Sequence, residues 1–370
     1  MYPGQALSSE QEKLGAIRSE IDTIDEQIQD LISRRANAAQ EVARVKRASN
    51  PDIADFYRPE REAEVLRKVK ERNEGPLDDD VMVGLFRQIM SDCLALQQPL
   101  VVAYLGPEGT YTHAAARKQF GSAIQAVSLA AIDEVFREVE SGAAAYGVVP
   151  VENSTEGVIN HTLDMFTQSP LKISGEVSLR IHHHLVGKAD NLGSVKKVYG
   201  HAQALAQCRE WLDSNLPQVE RIAVASNGEA ARMASVDSDT AATASETAAS
   251  IYELNSLARN IEDNPDNTTR FFVIGKKDVA PSGKDKTSLL LSTPNQPGAL
   301  HDVLTPLARN GVSMTRIESR PSRRAAWDYV FFIDIEGHQK DEKVAKVLAE
   351  LEKKQFLLRV LGSYPIAISD

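Results

Sequence analysis

The chain is poor in cysteine: only Cys93 and Cys208 occur among 370 residues, too few for a disulfide framework, and a reducing cytoplasmic setting is expected. Long apolar runs are missing as well, none approaching the ~18 consecutive residues of a spanning helix. Met1 to Glu10 lacks the basic start and apolar run of a secretion signal. Excess positive charge is also absent. With 42 Lys and Arg against 52 Asp and Glu, the net charge of −10 argues against nucleic-acid or membrane-surface partners, so any anion site must be local. No Gly-x-Gly-x-x-Gly turn follows a strand-like run, which argues against a nicotinamide site. Internal repeats and low-complexity tracts are lacking. What remains is a chain with 42% hydrophobic residues, long enough for two or three domains with real cores.

Residues 8–98 read as helix, interrupted at Asn50-Pro51 and at Asn73 to Pro76, giving three helices. The third opens with Asp78, Asp79 and Asp80, suited to the positive end of a helix dipole. The first carries an apolar stripe, Leu14, Ile17, Ile21, Ile24, Ile28 and Leu31, together with the cations Arg18, Arg35 and Lys46. Arg18 and Lys46 lie about 42 Å apart on an unbroken helix, whereas Arg35 and Lys46 share one face about 16 Å apart. A small dianion can meet the latter two; Arg18 joins them only if a second copy runs antiparallel alongside. The stripe therefore predicts an intertwined dimer with sites built from two chains. A solvated basic face on an amphipathic helix is the other reading.

From Leu100 the period changes. Val101 to Leu105, Tyr146 to Val151, Lys196 to Tyr199, Arg221 to Ala225 and Phe271 to Ile274 read as buried strands between helical stretches, which implies an α/β sandwich with parallel strands. Pro281 to Lys286 is a polar linker by composition. Beyond it, strand, helix, two strands, helix and strand (288–293, 299–310, 312–318, 328–335, 341–354 and 357–366) follow the βαββαβ order of a ferredoxin-like fold.

Three stretches resemble known families, together implying a multidomain chain: an all-α helical mutase domain forming an intertwined dimer, a two-lobed α/β dehydratase domain and an α+β ferredoxin-like ACT domain. Residues 8–98 are similar to the all-helical chorismate mutases, through Arg18 in Ile-Arg-Ser-Glu-Ile-Asp, Arg35 in Ser-Arg-Arg-Ala, Lys46, Arg61-Glu62 and Gln97. Chorismate is a dicarboxylate that rearranges in one pericyclic step, so positioning and electrostatics suffice and no cofactor is called for. The resemblance implies that Arg18 of one chain and Arg35 of the other hold the carboxylates, that Lys46 and Gln97 donate to the ether oxygen, and that Glu62 accepts from the substrate hydroxyl. Arg58 and Cys93 also belong to the implied binding set, Cys93 where relatives often carry serine and Arg58 near where some place an aspartate. For Cys93 a buried structural role is the competing reading.

Residues 101–277 resemble the prephenate dehydratases through Leu105 to Thr110, Val149 to Ser154 and Asn267-Thr268-Thr269-Arg270-Phe271. The resemblance implies that Thr269 carries the essential hydroxyl, with Thr110, Glu152, Asn153, Ser154, His201, Gln203, Gln207, Arg270 and Phe271 around prephenate. Arg270 serves either as a carboxylate anchor or in a structural ion pair. Ser154 and Thr155 contact substrate or cap the next helix. Gly200 and Ala202 stand where the family commonly has serine and proline, so one hydroxyl contact is lost. His182-His183-His184 invites a metal reading, but no Cys or carboxylate stands at ligand spacing, and no metal site is expected.

Residues 287–367 resemble the ACT regulatory domain in the version that binds phenylalanine. The marks are Asn295 to Leu300, including Gly298, Ala299 and Leu300, and Glu318-Ser319-Arg320-Pro321, which would close the site from a partner chain. The combined expectation is a bifunctional enzyme of phenylalanine biosynthesis, acting on chorismate and prephenate, restrained by phenylalanine, and assembled as a homodimer or higher oligomer. The alternative is a two-lobed solute-binding module with an amino-acid sensor and a helical dimerisation segment.

Overall fold

The computed structural model describes residues 3–49, 56–293, 296–321, 329–354 and 357–367. Three helices come first: α1 (Pro3–Ser49), α2 (Pro59–Glu71) and α3 (Asp79–Ala95). The expected break at Asn50-Pro51 lies outside the described residues; the one before Asp79 is present. Helix α1 is unbroken over 47 residues, about 70 Å. It packs on α3 along its C-terminal part, where Ala43 is buried. Its stripe is bare: Leu14, Ile17, Ile21, Ile24, Ile28 and Leu31 are all exposed, Ile17 by 53%. Pro59 stands at the start of α2, where its missing N–H costs nothing.

The α/β region has two lobes. The first contains β1 (Val101–Leu105), α4 (Tyr111–Phe120), β2 (Gln125–Leu129), α5 (Ile132–Ser141), β3 (Tyr146–Asn153), β4 (Gly157–Val158), α6 (Asn160–Gln168) and β5 (Lys172–Arg180). The second contains β6 (His184–Gly187), β7 (Lys197–His201), α7 (Ala202–Gln207), α8 (Arg209–Asn215), β8 (Glu220–Val224), α9 (Asn227–Ala234), β9 (Thr240–Ala244), α10 (Glu246–Ile251) and β10 (Asn255–Ala258). The chain then returns to the first lobe as β11 (Thr268–Gly275), inserted between β3 and β5.

This return corrects the expectation of parallel strands. β1 runs parallel to β2 and β3, but β11 is antiparallel to both its neighbours. The second sheet, ordered β10-β6-β9-β7-β8, is mixed in the same way. The lobes meet where the Gly106 to Thr110 turn touches α9 and α10: a Cβ on Gly228 would stand 2.3 Å from the Glu108 carbonyl oxygen, and one on Gly109 3.0 Å from Ala248.

The last unit comprises β12 (Asp285–Thr293), α11 (Ala299–Asn310), β13 (Met314–Pro321), β14 (Tyr329–Glu336), α12 (Glu342–Lys353) and β15 (Leu357–Pro365), in sheet order β13-β14-β12-β15. The ferredoxin-like expectation holds. The linker reading needs correcting: Ser282 turns back through its N–H and hydroxyl onto Asp285, which is buried and already in strand. The domain is therefore joined by a tight turn. Leu290, Phe332, Leu361 and Tyr364 pack into the same apolar cluster as Phe136, Phe166 and Phe272 of the first lobe, so the core crosses the boundary.

Candidate functional site

Two cavities gather most of the residues singled out from the sequence. The first, of about 590 Å³, lies between α1, α2 and α3 and is lined by Arg35, Lys46, Arg58, Arg61, Glu62, Cys93 and Gln97, with Phe56, Tyr57 and Met90 among its apolar walls. The helices explain the convergence: Met90 and Cys93 stand three apart on α3 and Gln97 follows in the turn just past its end, all facing the positions Arg35, Ala39, Val42 and Lys46 of α1. Arg18 lies outside it, on the exposed N-terminal half of α1.

Within the cavity, Lys46 lies 5.4 Å over the Phe56 ring. Gln97 donates weakly to the Cys93 carbonyl at 3.5 Å, leaving its second amide hydrogen for a ligand. Arg58 and Arg61 are each held by a carboxylate on α2, Glu60 at 2.6 Å and Glu64 at 2.7 Å. Cys93 is buried yet lines the wall, so packing and site readings coincide there. Glu62 is pushed up to about 7 by burial, opposed in part by Arg87, whose Nε stands 3.7 Å away. Arg87 was not singled out from the sequence; its position on α3 one turn before Ser91 gave no distinguishing signal.

The second cavity, of about 450 Å³, lies between the two lobes. It is lined by Thr110, Asn153, His201, Gln203, Gln207, Thr269 and Phe271, and also by Tyr111, Glu156, His183, Asn227 and Asn267. Thr269 is buried on β11 opposite Asn153 of β3. The Asn153 side-chain oxygen accepts the backbone N–H groups of Thr155 and Glu156 at 3.0 and 3.1 Å, which turns its amide nitrogen toward Thr269 Oγ1, 2.8 Å away. Asn153 thus donates to the threonine oxygen, and the threonine's own proton is left for a ligand.

The chain of polar contacts continues. Asn153 also donates to Asn267 at 2.9 Å; Asn267 donates to Gln207 at 3.1 Å, and Gln207 Oε1 faces His183 Nε2 at 2.9 Å. The Tyr111 hydroxyl, which donates to the His182 carbonyl at 2.7 Å, also stands 2.8 Å from His183 Nδ1. Burial lowers the His183 pKa and favours the neutral ring. Gln203 reaches across the mouth from the second lobe to Glu156 of the first, 2.7 Å away.

Several expected contacts fall elsewhere. Glu152, adjacent to Asn153 on β3, faces the opposite side of the sheet, and its carboxylate stands 2.9 Å from Arg316 of β13. Arg270, adjacent to Thr269, likewise turns away and is bound by Glu176 at 2.6 Å and Asp334 at 2.7 Å, so its ion-pair reading prevails. Ser154 accepts from the Thr268 N–H at 2.9 Å, and Thr155 donates to Asn267 at 3.0 Å; neither caps a helix. A Cβ at Gly200 would point at Thr243 and Leu205, inside the second lobe. A serine hydroxyl there would not enter the cavity, so the glycine removes no contact from it. His182 pairs with Glu262 at 2.7 Å, a carboxylate distant in sequence.

In the last domain, Gly298 precedes α11 in the left-handed conformation at φ 86°, where glycine is strain-free, and Ala299 and exposed Leu300 open the helix. Asn295 lies outside the described residues. Glu318, Ser319, Arg320 and Pro321 end β13, one of the two edge strands, and Arg320 reaches the first lobe, 2.7 Å from Asp164.

A helical groove of cations and a two-lobed polar cleft, joined to a ferredoxin-like domain, suit a multidomain enzyme of small polar substrates. Family models agree: chorismate mutase type II matches residues 17–98, prephenate dehydratase 102–279 and the ACT domain 287–353. The chain is 56% identical to the bifunctional chorismate mutase/prephenate dehydratase of Stutzerimonas stutzeri and 54% to that of Pseudomonas aeruginosa, in each case over 97% of this chain and 100% of the relative. It matches the crystal structure of an Arthrobacter aurescens prephenate dehydratase in complex with L-Phe at TM-score 0.66 and 34% identity, covering 72% of this chain and 90% of that one. The chain belongs to the bifunctional chorismate mutase/prephenate dehydratases. It is an enzyme with both activities, and the solute-sensor reading is set aside.

Proposed function

We propose that the helical cavity rearranges chorismate in a site shared by two chains of a homodimer. The exposed stripe on α1 supports a second copy, since fully burying one Ile or Leu side chain contributes about 1.5–3 kcal/mol. An antiparallel partner helix would bring its Arg18 to the Arg35 and Lys46 end of the groove. Arg18 and Arg35 then hold the two carboxylates, with Arg58 and Arg61 extending the positive wall. Lys46 and Gln97 donate to the ether oxygen as the C–O bond breaks, Glu62 accepts from the ring hydroxyl, and Cys93 shapes the wall.

In the interlobe cavity, prephenate loses its ring carboxylate as CO2; the electron pair aromatises the ring and expels the hydroxyl, which takes up a proton and leaves as water. Thr269 donates a hydrogen bond to that departing hydroxyl. A threonine hydroxyl is a weak acid, so it orients and stabilises the leaving group. Thr110, His201, Gln203, Gln207 and Asn153 surround the substrate, Phe271 packs beneath it, and lobe closure excludes water. Phenylalanine binds the ACT domain at Gly298, Ala299 and Leu300, with Glu318, Ser319, Arg320 and Pro321 supplied by a partner chain.

The observation that carries the dehydratase reading is the fixed donation from Asn153 to Thr269 inside the cavity. Substituting Thr269→Ala should stop phenylpyruvate formation while chorismate is still converted to prephenate. Undiminished phenylpyruvate would remove Thr269 from the mechanism.

A further inference from the structure

Four charged side chains form a square between the dehydratase and ACT domains. On one side Glu152 of β3 and Arg270 of β11 are cross-strand partners. On the other, Arg316 of β13 and Asp334 of β14 are cross-strand partners in their own sheet. Arg316 Nε stands 2.9 Å from Glu152, and Arg270 Nη1 stands 2.7 Å from Asp334. Each strand pair thus offers one charge of each sign, and the two pairs match in only one register. Ser288 adds a hydrogen bond to Asp334 at 2.5 Å, and Glu176 holds both Arg270 and Lys286.

The next residues along the same two strands are Asn153 and Thr269, also cross-strand partners, facing the cavity on the other side of the sheet. One pair of rungs therefore serves the reaction and the adjacent pair is gripped by the ACT domain. The β3–β11 ladder is irregular between Arg270 and Phe271, and the β13–β14 ladder between Met314 and Arg316. Such bulges re-aim side chains and leave local orientation to other contacts. Here those contacts are the square.

We propose that Arg316, acting through Glu152, and Asp334, acting through Arg270, are positioning residues for dehydration: they set the Asn153–Thr269 rung against the substrate. Strand β13 controls the reaction by carrying Arg316. Arg320, on the same face of β13, grips α6 through Asp164, so movement of this strand reaches the first lobe at two points. The inference rests on the reading of Thr269 and of the Glu318 to Pro321 segment given above.

The test uses the full-length protein, with prephenate and chorismate assays on the same preparation. Arg316→Leu should lower dehydratase kcat about tenfold with KM for prephenate within about twofold, and should leave mutase activity unchanged. Arg316→Lys should recover most of the loss. Glu152→Gln, which keeps the shape and is the variant that decides if Arg316→Leu misfolds, should lose kcat in the same way. The double variant should be no worse than the poorer single, because both break one contact. Inhibition by phenylalanine should weaken at least about fivefold in each.

An unchanged kcat, a change in KM alone, or losses that multiply in the double variant would overturn the proposal. Thr269→Ala, assayed in parallel, separates the two layers. If it keeps activity, the underlying site reading fails; if it is inactive while Arg316→Leu and Glu152→Gln are not impaired, only the square fails.

Discussion

Glu62 is the residue whose chemistry is most exposed to test. Burial pushes its carboxyl from an ordinary 4.5 up to about 7, so the folded chain favours its protonated form. The linked stability is full below about 4.5 and is lost as pH rises through about 7. Its proposed role runs the other way, since the carboxylate is the stronger acceptor for the chorismate hydroxyl. Mutase kcat/KM should therefore fall as pH drops below about 7, hold into mildly alkaline pH because Gln97 does not titrate, and lose its acid limb in Glu62→Gln. A pH–rate profile checks all three; collapse on the alkaline side would remove Gln97 from its role. At this scale the sequence was partly legible. Arg35, Lys46 and Glu62 sit in motifs on helices, where spacing fixes the face, and Gln97 follows directly on the end of α3. Glu152 and Arg270 sit in motifs on strands, where neighbours point to opposite sides and the sequence does not say which side is the cavity. His183, Asn267 and Tyr111 come together from separate elements; Asn267 opens the motif that carries Thr269, the histidine run pointed only toward a metal reading, and Tyr111 had no signal.

Among elements, those with a strong period were readable and those shaped by tertiary contact were not. The strands 101–105 and 146–153 are near-continuous apolar runs. β5 carries Ser174, Gly175 and Glu176 because it lies between β11 and the ACT sheet, where Glu176 meets Arg270 and Lys286. β9, Thr-Ala-Ala-Thr-Ala, has small residues that suit a helix, and becomes a strand by being buried on both faces. Small residues also set lobe contact. Gly228→Val would drive its side chain against the Glu108 carbonyl, hold the lobes apart and lower dehydratase activity at least about tenfold while sparing mutase activity; paired assays would check this. On α1, Ile21→Asp places a charge in the proposed helix interface. It should shift the protein toward monomer in sedimentation and abolish mutase activity.

For the whole molecule, the docking of the ACT domain is closer than a composition-defined linker suggests. A Cβ on Gly362 of β15 would fall 2.1 Å from the Ile173 carbonyl oxygen of β5, and Lys172 donates to the Val360 carbonyl at 2.9 Å. Tyr364 closes the shared core against Phe272, ring centroids 6.1 Å apart. Removing residues 281–370 should therefore destabilise the dehydratase domain itself, lowering its thermal midpoint by several degrees and exposing apolar surface, as calorimetry and dye binding would register. A truncated dehydratase as stable as the full chain would show that the two cores are independent.

At the same scale, each proposed mutase site draws on two chains. Co-expressing Arg18→Ala with Lys46→Ala tests this directly. Each variant alone should be inactive. A mixed dimer carries both lesions in one site and none in the other, so random assembly should restore about a quarter of wild-type mutase activity. Mixed dimers no more active than either parent would mean that Arg18 and Lys46 act within one chain, and the shared site would be contradicted.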